Sequence, residues 1–203
     1  YTKIFTQDLQ SKQVLKNIGI KQVINSGSLK IERVVDQLSN NNKNEVINKY
    51  KGNNICIVCG STWEKDEKII IKYIKESKNK NIKWIIAPHN ISKTNIDRIS
   101  KKLDSEFLIY SKINESNIHS NVLILDTIGD LKNIYSYSDL SYVGGGMGYS
   151  GLHNILEACV YKKPVIIGKN YSGFIEAEEL VELGGVVSVK DYDEFKIEFE
   201  NLI

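Results

Sequence analysis

The chain reads as an α/β protein in which a parallel sheet carries helices on both faces. Three observations say so. Nine apolar runs have the length of strands, six amphipathic segments set among them have the length of helices, and the connections are short. Regular alternation of this kind is built from βαβ units, whose strands run parallel and whose crossover helices cover the sheet.

In order, strands are expected at 3–6, 22–25, 55–59, 83–87, 107–110, 122–125, 140–143, 164–167 and 186–189. The run Ile55-Cys56-Ile57-Val58-Cys59 is apolar without alternation, as in a strand buried on both faces. Helices are expected at 64–77, 93–103, 129–137, 152–160, 175–183 and 191–202, where apolar residues recur with helical spacing. The first of these opens on Glu64, Asp66 and Glu67. Sheets of this Rossmann-like type bind ligands beyond the carboxyl ends of their strands. No internal repeat is visible.

One boundary stands out. Asn40-Asn41-Asn42-Lys43-Asn44 is polar and low in complexity, and it divides residues 1–39 from a self-contained block at 40–203. Two strands and two helices in 1–39 are too little for a core of their own. That segment is expected to be the end of an N-terminal domain lying outside this sequence, together with the linker that crosses from it. Tyr1 is not Met, which fits a piece cut from a longer protein, and the block at 40–203 is expected to be truncated at its C-terminus.

Composition narrows the class. In 203 residues, 41% are hydrophobic and 26% charged, enough for one sizeable core. The net charge of +2 comes with no dense basic run interleaved with aromatics, which argues against nucleic acid as the partner. The many lysines scatter over the expected helix faces, as solvating charge does. No apolar run approaches the roughly 18 residues of a membrane span and no signal peptide opens the chain, so it is expected to be soluble.

The cysteines invite a redox or zinc reading, since Cys56-Ile57-Val58-Cys59 has C-x-x-C spacing. On a strand, however, residues three apart face opposite sides. A zinc site would need a second ligand pair. Cys56, Cys59 and Cys159 are expected to be reduced thiols.

The most informative stretch is Gly144-Gly145-Gly146-Met147-Gly148-Tyr149-Ser150-Gly151, followed by Leu152-His153-Asn154-Ile155-Leu156-Glu157. Glycines let the backbone approach a ligand closely and reach positive φ. A helix beginning near Leu152 would aim its free amides and positive end at a phosphate in the loop. Glu157, about one turn into that helix, could accept two hydrogen bonds from a ribose diol. Together these describe a nucleotide site. Other loops fall at the same sheet edge. In Gly60-Ser61-Thr62 the hydroxyls cap the next helix or meet a ligand. Pro88-His89-Asn90 ends a strand, so His89 is either a surface histidine or a ligand contact. Thr127-Ile128-Gly129-Asp130 offers amides to a base edge or phosphate, and His153 and Asn154 lie near the nucleotide. His119 is expected to be uninvolved.

The order of these loops resembles the C-terminal domain of the bacterial 3-deoxy-D-manno-octulosonic acid (Kdo) transferases. The resemblance runs from Gly-Ser-Thr through Ala-Pro-His and Asp-Thr-Ile-Gly-Asp-Leu to Gly-Leu-His-Asn-Ile-Leu-Glu-Ala. Upstream, Ser26-Gly27-Ser28-Leu29-Lys30-Ile31-Glu32 looks like that family's linker motif. The resemblance implies the C-terminal half of a two-domain GT-B glycosyltransferase that binds the donor CMP-Kdo, its N-terminal half holding the lipid A precursor and the catalytic base. It implies a CMP pocket of Pro88, His89, Ile128, Gly129, Asp130, Asn154, Ile155, Leu156 and Glu157, with Gly60, Ser61, Thr62, Gly145 and Gly146 as a phosphate or donor loop. Lys30 would stabilise negative charge as CMP departs. No cofactor or metal is expected, since CMP-sugars carry one phosphate and no Asp-x-Asp motif is present. The N-terminal half would bring the protein to the cytoplasmic face of the bacterial inner membrane. The chain departs from the family pattern at the Arg expected after Pro88, at Ile31-Glu32 in place of Phe-Asp, and at Ala158 in place of Pro. Two other readings stay open: the donor half of a UDP-sugar GT-B enzyme, such as a MurG-like transferase or a UDP-sugar 2-epimerase, and a non-catalytic nucleotide-binding module.

Overall fold

The structure is a computed structural model that describes residues 2–27, 29–39, 42–104, 106–113 and 118–203. The chain divides into two compact units, Tyr1–Asn40 and Asn41–Ile203. Asn40 and Asn41, on which the expected boundary falls, and Ser28 of the linker motif lie outside the described residues.

The first unit pairs β1 (Ile4–Thr6) with β2 (Val23–Asn25) in parallel, joined through α1 (Leu9–Asn17) and followed by α2 (Leu29–Ser39). Asp8 caps α1 by accepting from the Ser11 amide at 2.6 Å. Among its described residues, Val23 and Val34 are the buried apolar side chains, while Phe5, Leu9 and Ile18 are more than half exposed.

The second unit is a seven-stranded, all-parallel sheet. Its strands are β3 (Ile55–Thr62), β4 (Ile82–Pro88), β5 (Leu108–Ile109), β6 (Val122–Ile124), β7 (Leu140–Val143), β8 (Val165–Gly168) and β9 (Val186–Val189), in the spatial order β5-β6-β4-β3-β7-β8-β9. The crossovers carry α4 (Glu64–Glu76), α5 (Lys93–Leu103), a short α6 (Leu131–Ile134), α7 (Leu156–Cys159) and α8 (Ile175–Glu182), and α9 (Tyr192–Leu202) follows the last strand. Strand periodicity sorts the core into two layers. Ile57 and Cys59 face α4, α5 and α9 through Ile70, Tyr73, Ile99 and Phe199. Cys56 and Val58 face the opposite layer of Ile47, Ile134, Tyr135 and Ala158. Helices on both faces of a parallel sheet are the expected architecture.

The two strand thiols thus point into different layers, and burial pushes the Cys56 thiol up to about 12 and that of Cys59 higher still. Neither is poised as a thiolate. Cys159 is half-buried.

Three elements differ from expectation. The helix α3 (Glu45–Lys51) begins directly after the Asn-rich stretch, whose last residue, Asn44, caps it by accepting from the Ile47 amide at 3.1 Å. Asn44 is also held by the Tyr137 and Tyr110 hydroxyls. The helix expected over 152–160 shrinks to Leu156–Cys159, since Leu152 and Ile155 bury themselves from an irregular segment. The expected helix at 129–137 becomes α6 followed by a 3₁₀ turn.

Candidate functional site

From β3 the chain goes outward through β4 to the edge strand β5, fills in β6 between those two, then crosses back to lay β7 on the other side of β3 and continues through β8 to β9. The loops leaving β3 and β7 therefore diverge, and the crevice between such loops is where open α/β sheets take ligands. Gly60-Ser61-Thr62-Trp63 leaves one strand and the glycine loop leaves the other.

A buried carboxylate ties the two together. Asp66 is fully buried in the first turn of α4 and accepts from four donors: the Trp63 amide (2.9 Å), the Tyr142 hydroxyl (2.8 Å) and the amides of Gly145 (2.9 Å) and Met147 (3.3 Å). The first closes the start of α4, and the other three pin the glycine loop to it. Two amides of the loop are thereby spent on Asp66. Burial, with the Asp66 carboxylate alongside, raises the Tyr142 phenol well above its ordinary range and keeps it a donor. In sequence Asp66 reads as a solvated first-turn acid, which hides this role.

The glycines have packing reasons of their own. A Cβ on Gly144 would strike the Ser61 carbonyl at 2.4 Å, one on Gly145 the Gly151 carbonyl at 2.0 Å, and one on Gly168 the Gly146 backbone at 2.2 Å. Gly145 also sits at φ +97°. Gly60 leaves room for the Tyr135 hydroxyl, which would lie 1.8 Å from an added Cβ. The loop is compact because backbone meets backbone. Beside it, Ser61 is a non-glycine residue at φ 51°, at the bulge where β3 shifts register against β4. Neither Ser61 nor Thr62 caps α4, whose N-cap is Trp63. Thr62 is buried and reaches Glu67 weakly at 3.5 Å.

Trp63 is a second site residue that sequence reasoning missed. Its Nε1–H donates to His153 Nε2 at 2.9 Å, and the two ring planes are nearly parallel, 12° apart. His89 stacks on both, 4.6 Å from Trp63 and 4.5 Å from His153. Its amide, donating to the Thr62 carbonyl, locks the end of β4 to that of β3. Burial lowers the His153 pKa, with His89 acting in the same direction and Asp66 opposing. Three rings from three separate loops thus meet at the switch point.

The other expected residues follow the ends of adjacent strands. Pro88 is buried at the end of β4. After β6, Ile128 is 87% exposed, Gly129 takes φ +91° and Asp130 accepts from the Thr127 hydroxyl at 2.5 Å. After β7, Asn154 bridges the Leu156 amide and Glu157, donating to the latter at 3.2 Å. Ile155 is buried, Leu156 half-buried, and Glu157 half-buried beside Tyr135, whose phenol burial and then Glu157 raise. Glu157 is the second residue of a four-residue helix, so the long helix dipole expected behind the glycine loop is not there. Lys30 lies exposed in the first turn of α2, within the other unit.

Basic groups are present in three dimensions where the loop sequence has none. An open cleft of about 550 Å³ is lined by Trp63, Lys65, Lys68, Lys102, Tyr149 and Ser150. Lys65 sits over the Tyr149 ring at 4.8 Å, and Lys102 pairs with Glu64 at 2.6 Å. Behind it, Glu67 is buried against Arg98, its carboxyl raised by burial and drawn back by Arg98. His119 lines a separate cleft with Ser120 and Asn121, residues that precede β6. Among the described residues no three His, Cys, Asp or Glu side chains gather as metal ligands, and no helix is long and apolar enough to cross a membrane.

This sheet, with its site at the β3/β7 switch point, is the fold of a GT-B glycosyltransferase's C-terminal half. The solved C-terminal CMP-Kdo binding domain of WaaA from Acinetobacter baumannii superposes with a TM-score of 0.65 at 20% identity, over 83% of this chain and 87% of that one. Anabaena HepE in complex with UDP-glucose gives 0.55 at 16% identity, over 98% of this chain and 53% of that one. No protein-family model matches. In sequence, the chain is 32% identical over 136 residues to the Haemophilus influenzae 3-deoxy-D-manno-octulosonic acid transferase, covering 65% of this chain and 32% of that protein. The Aquifex aeolicus enzyme of the same name is 27% identical over 187 residues, 90% of this chain and 48% of that protein. A bifunctional glycosyltransferase/methyltransferase of Fusobacterium nucleatum is 28% identical over 194 residues, 93% of this chain and 30% of that protein. The chain is a relative of the Kdo transferases, and it spans between 30% and 48% of the length of these curated relatives.

Proposed function

We propose that the chain is the donor-binding domain of a glycosyltransferase that moves Kdo from CMP-Kdo to a lipid A precursor in lipopolysaccharide assembly. The observation that carries this reading is the convergence of the loops after β3, β4, β6 and β7 on one sheet edge. They hold the segments that resemble the family's CMP pocket. In this reading Glu157, steadied by Asn154, takes the ribose hydroxyls. Pro88, His89 and the Ile128-Gly129-Asp130 turn face the cytosine. The phosphate lies by the Gly60–Thr62 and Gly145-Gly146 backbones. The cleft of Lys65 and Lys68 suits an acidic sugar such as Kdo, whose carboxylate a cation would meet. Lys30 stabilises the departing phosphate, no metal takes part, and the catalytic base, the acceptor and attachment to the inner membrane's cytoplasmic face belong to the rest of the enzyme.

Calorimetric titration with CMP, UMP and UDP side by side tests the donor class. Tighter binding of CMP supports the reading. One observation favours a second reading: the lysines of the same cleft would equally serve a diphosphate, so tighter binding of UDP assigns the chain to a UDP-sugar enzyme.

A further inference from the structure

The Trp63–His153 pair has a consequence for the donor site. An indole N–H is a donor only, so the Nε2 that receives it is unprotonated, and the neutral imidazole carries its proton on Nδ1. Among the described residues nothing accepts from that Nδ1–H. His153 is held on one side by Gly145, whose added Cβ would lie 3.2 Å from its Cδ2, and by the stacked His89. Its backbone is fixed as well, because the His153 amide donates to the Gly144 carbonyl at 3.2 Å. The result is a rigid donor on the loop that leaves β7 at the switch point, the strand end where a nucleotide's phosphate is received.

Resting on the reading of this crevice as a nucleotide site, we propose that Trp63 is a positioning residue. It fixes His153 as the neutral Nδ1–H tautomer, and His153 donates through Nδ1 to a phosphate oxygen of the bound nucleoside monophosphate. No proton is transferred. A second proton on His153 would have to enter at Nε2, against the Trp63 N–H, and would break the pair. Burial and the neighbouring imidazole of His89 oppose that protonation too, with only Asp66 favouring it. Tautomer control is then local to Trp63, and a ring of the same shape without the N–H should release it.

The test uses the 203-residue chain and CMP as the probe. Nitrogen-15 NMR is expected to find His153 as the Nδ1–H tautomer in the native chain. In Trp63→Phe the ring should change toward Nε2–H, and its pKa should rise. Affinity for CMP should fall about tenfold in Trp63→Phe, the scale of one hydrogen bond to a charged acceptor. His153→Asn keeps an amide donor where Nδ1 stood and should bind CMP nearly as well as the native chain. His153→Gln places its amide at the Nε2 position and should lose about as much as Trp63→Phe. An Nε2–H tautomer in the native chain, undiminished CMP binding in Trp63→Phe, or equal affinities for the Asn and Gln variants would each overturn the role given to the pair. If the native chain does not bind CMP, the donor reading itself falls and takes this role with it. Unaltered far-ultraviolet dichroism confirms that each variant is folded.

Discussion

Residues 2–39 and 42–203 are written in the same local pattern, parallel strands joined through amphipathic helices, and they come out differently. In the second unit seven strands lie side by side, so apolar side chains from both faces close into layers with Ile57, Ile85, Ile99 and Phe199 wholly buried. In the first, two three-residue strands leave Phe5 63% and Ile18 69% exposed. A helix on a two-stranded sheet covers one face over a few residues, whereas a helix on seven strands has neighbours along its whole apolar stripe. Strand number, not local pattern, decides which segment can stabilise itself.

Core truncation should separate the two units most sharply. Phe199 stacks on Trp84 with ring centroids 5.1 Å apart and meets Tyr73 at 4.6 Å. Phe199→Ala should therefore cost about 3–5 kcal/mol in urea unfolding. Phe5→Ala should change the same transition by less than about 0.5 kcal/mol. Equal effects would mean that the first unit shares in the main cooperative core.

Next in size is Asp66→Ala. It strands the Tyr142 hydroxyl, the buried Gly145 amide and the part-buried Met147 amide, and should cost about 3 kcal/mol of stability, read from the same unfolding curves. It should also loosen the glycine loop, visible as faster amide exchange at Gly145 and Met147. Unchanged exchange there would show that the glycine contacts alone hold the loop.

The sheet was legible because strands buried on both faces are continuous apolar runs, and the strands from Ile55 to Val189 fall where those runs are. The site was legible by place, since strand-end loops announce themselves by composition. Two of its central side chains were not. Asp66 sits where acids commonly favour a helix start, so its role as a four-donor acceptor leaves no trace in spacing. Trp63 belongs to the site through His153, ninety residues later, and only the β3/β7 adjacency brings them together. Glycine content misled in part, because close approach of backbone to backbone and of backbone to ligand call for the same residue. α3 escaped because its cap, Asn44, is the last of a run of asparagines that reads as a linker.

Glu157→Gln sharpens the comparison at the level of function. A carboxylate facing a ribose diol gives way to an amide, and CMP binding should weaken by about 1.5–3 kcal/mol in calorimetry while the unfolding midpoint stays put. Affinity unchanged would make Glu157 a structural partner of Asn154 and move the ribose elsewhere.

The smallest expected effect belongs to Lys30, the one proposed catalytic group in the first unit. If the nucleotide site is complete within residues 42–203, Lys30→Ala leaves the Kd for CMP within about twofold, because a contact made only in the transition state is not felt in ground-state binding. In the whole enzyme the same substitution should lower kcat for Kdo transfer while leaving KM for CMP-Kdo nearly unchanged, as expected of a cation that meets charge only when CMP departs. A clear loss of CMP affinity in the 203-residue chain would instead make Lys30 a ground-state ligand. The nucleotide site would then draw on both units, and self-sufficiency of the second would extend to its core but not to its function.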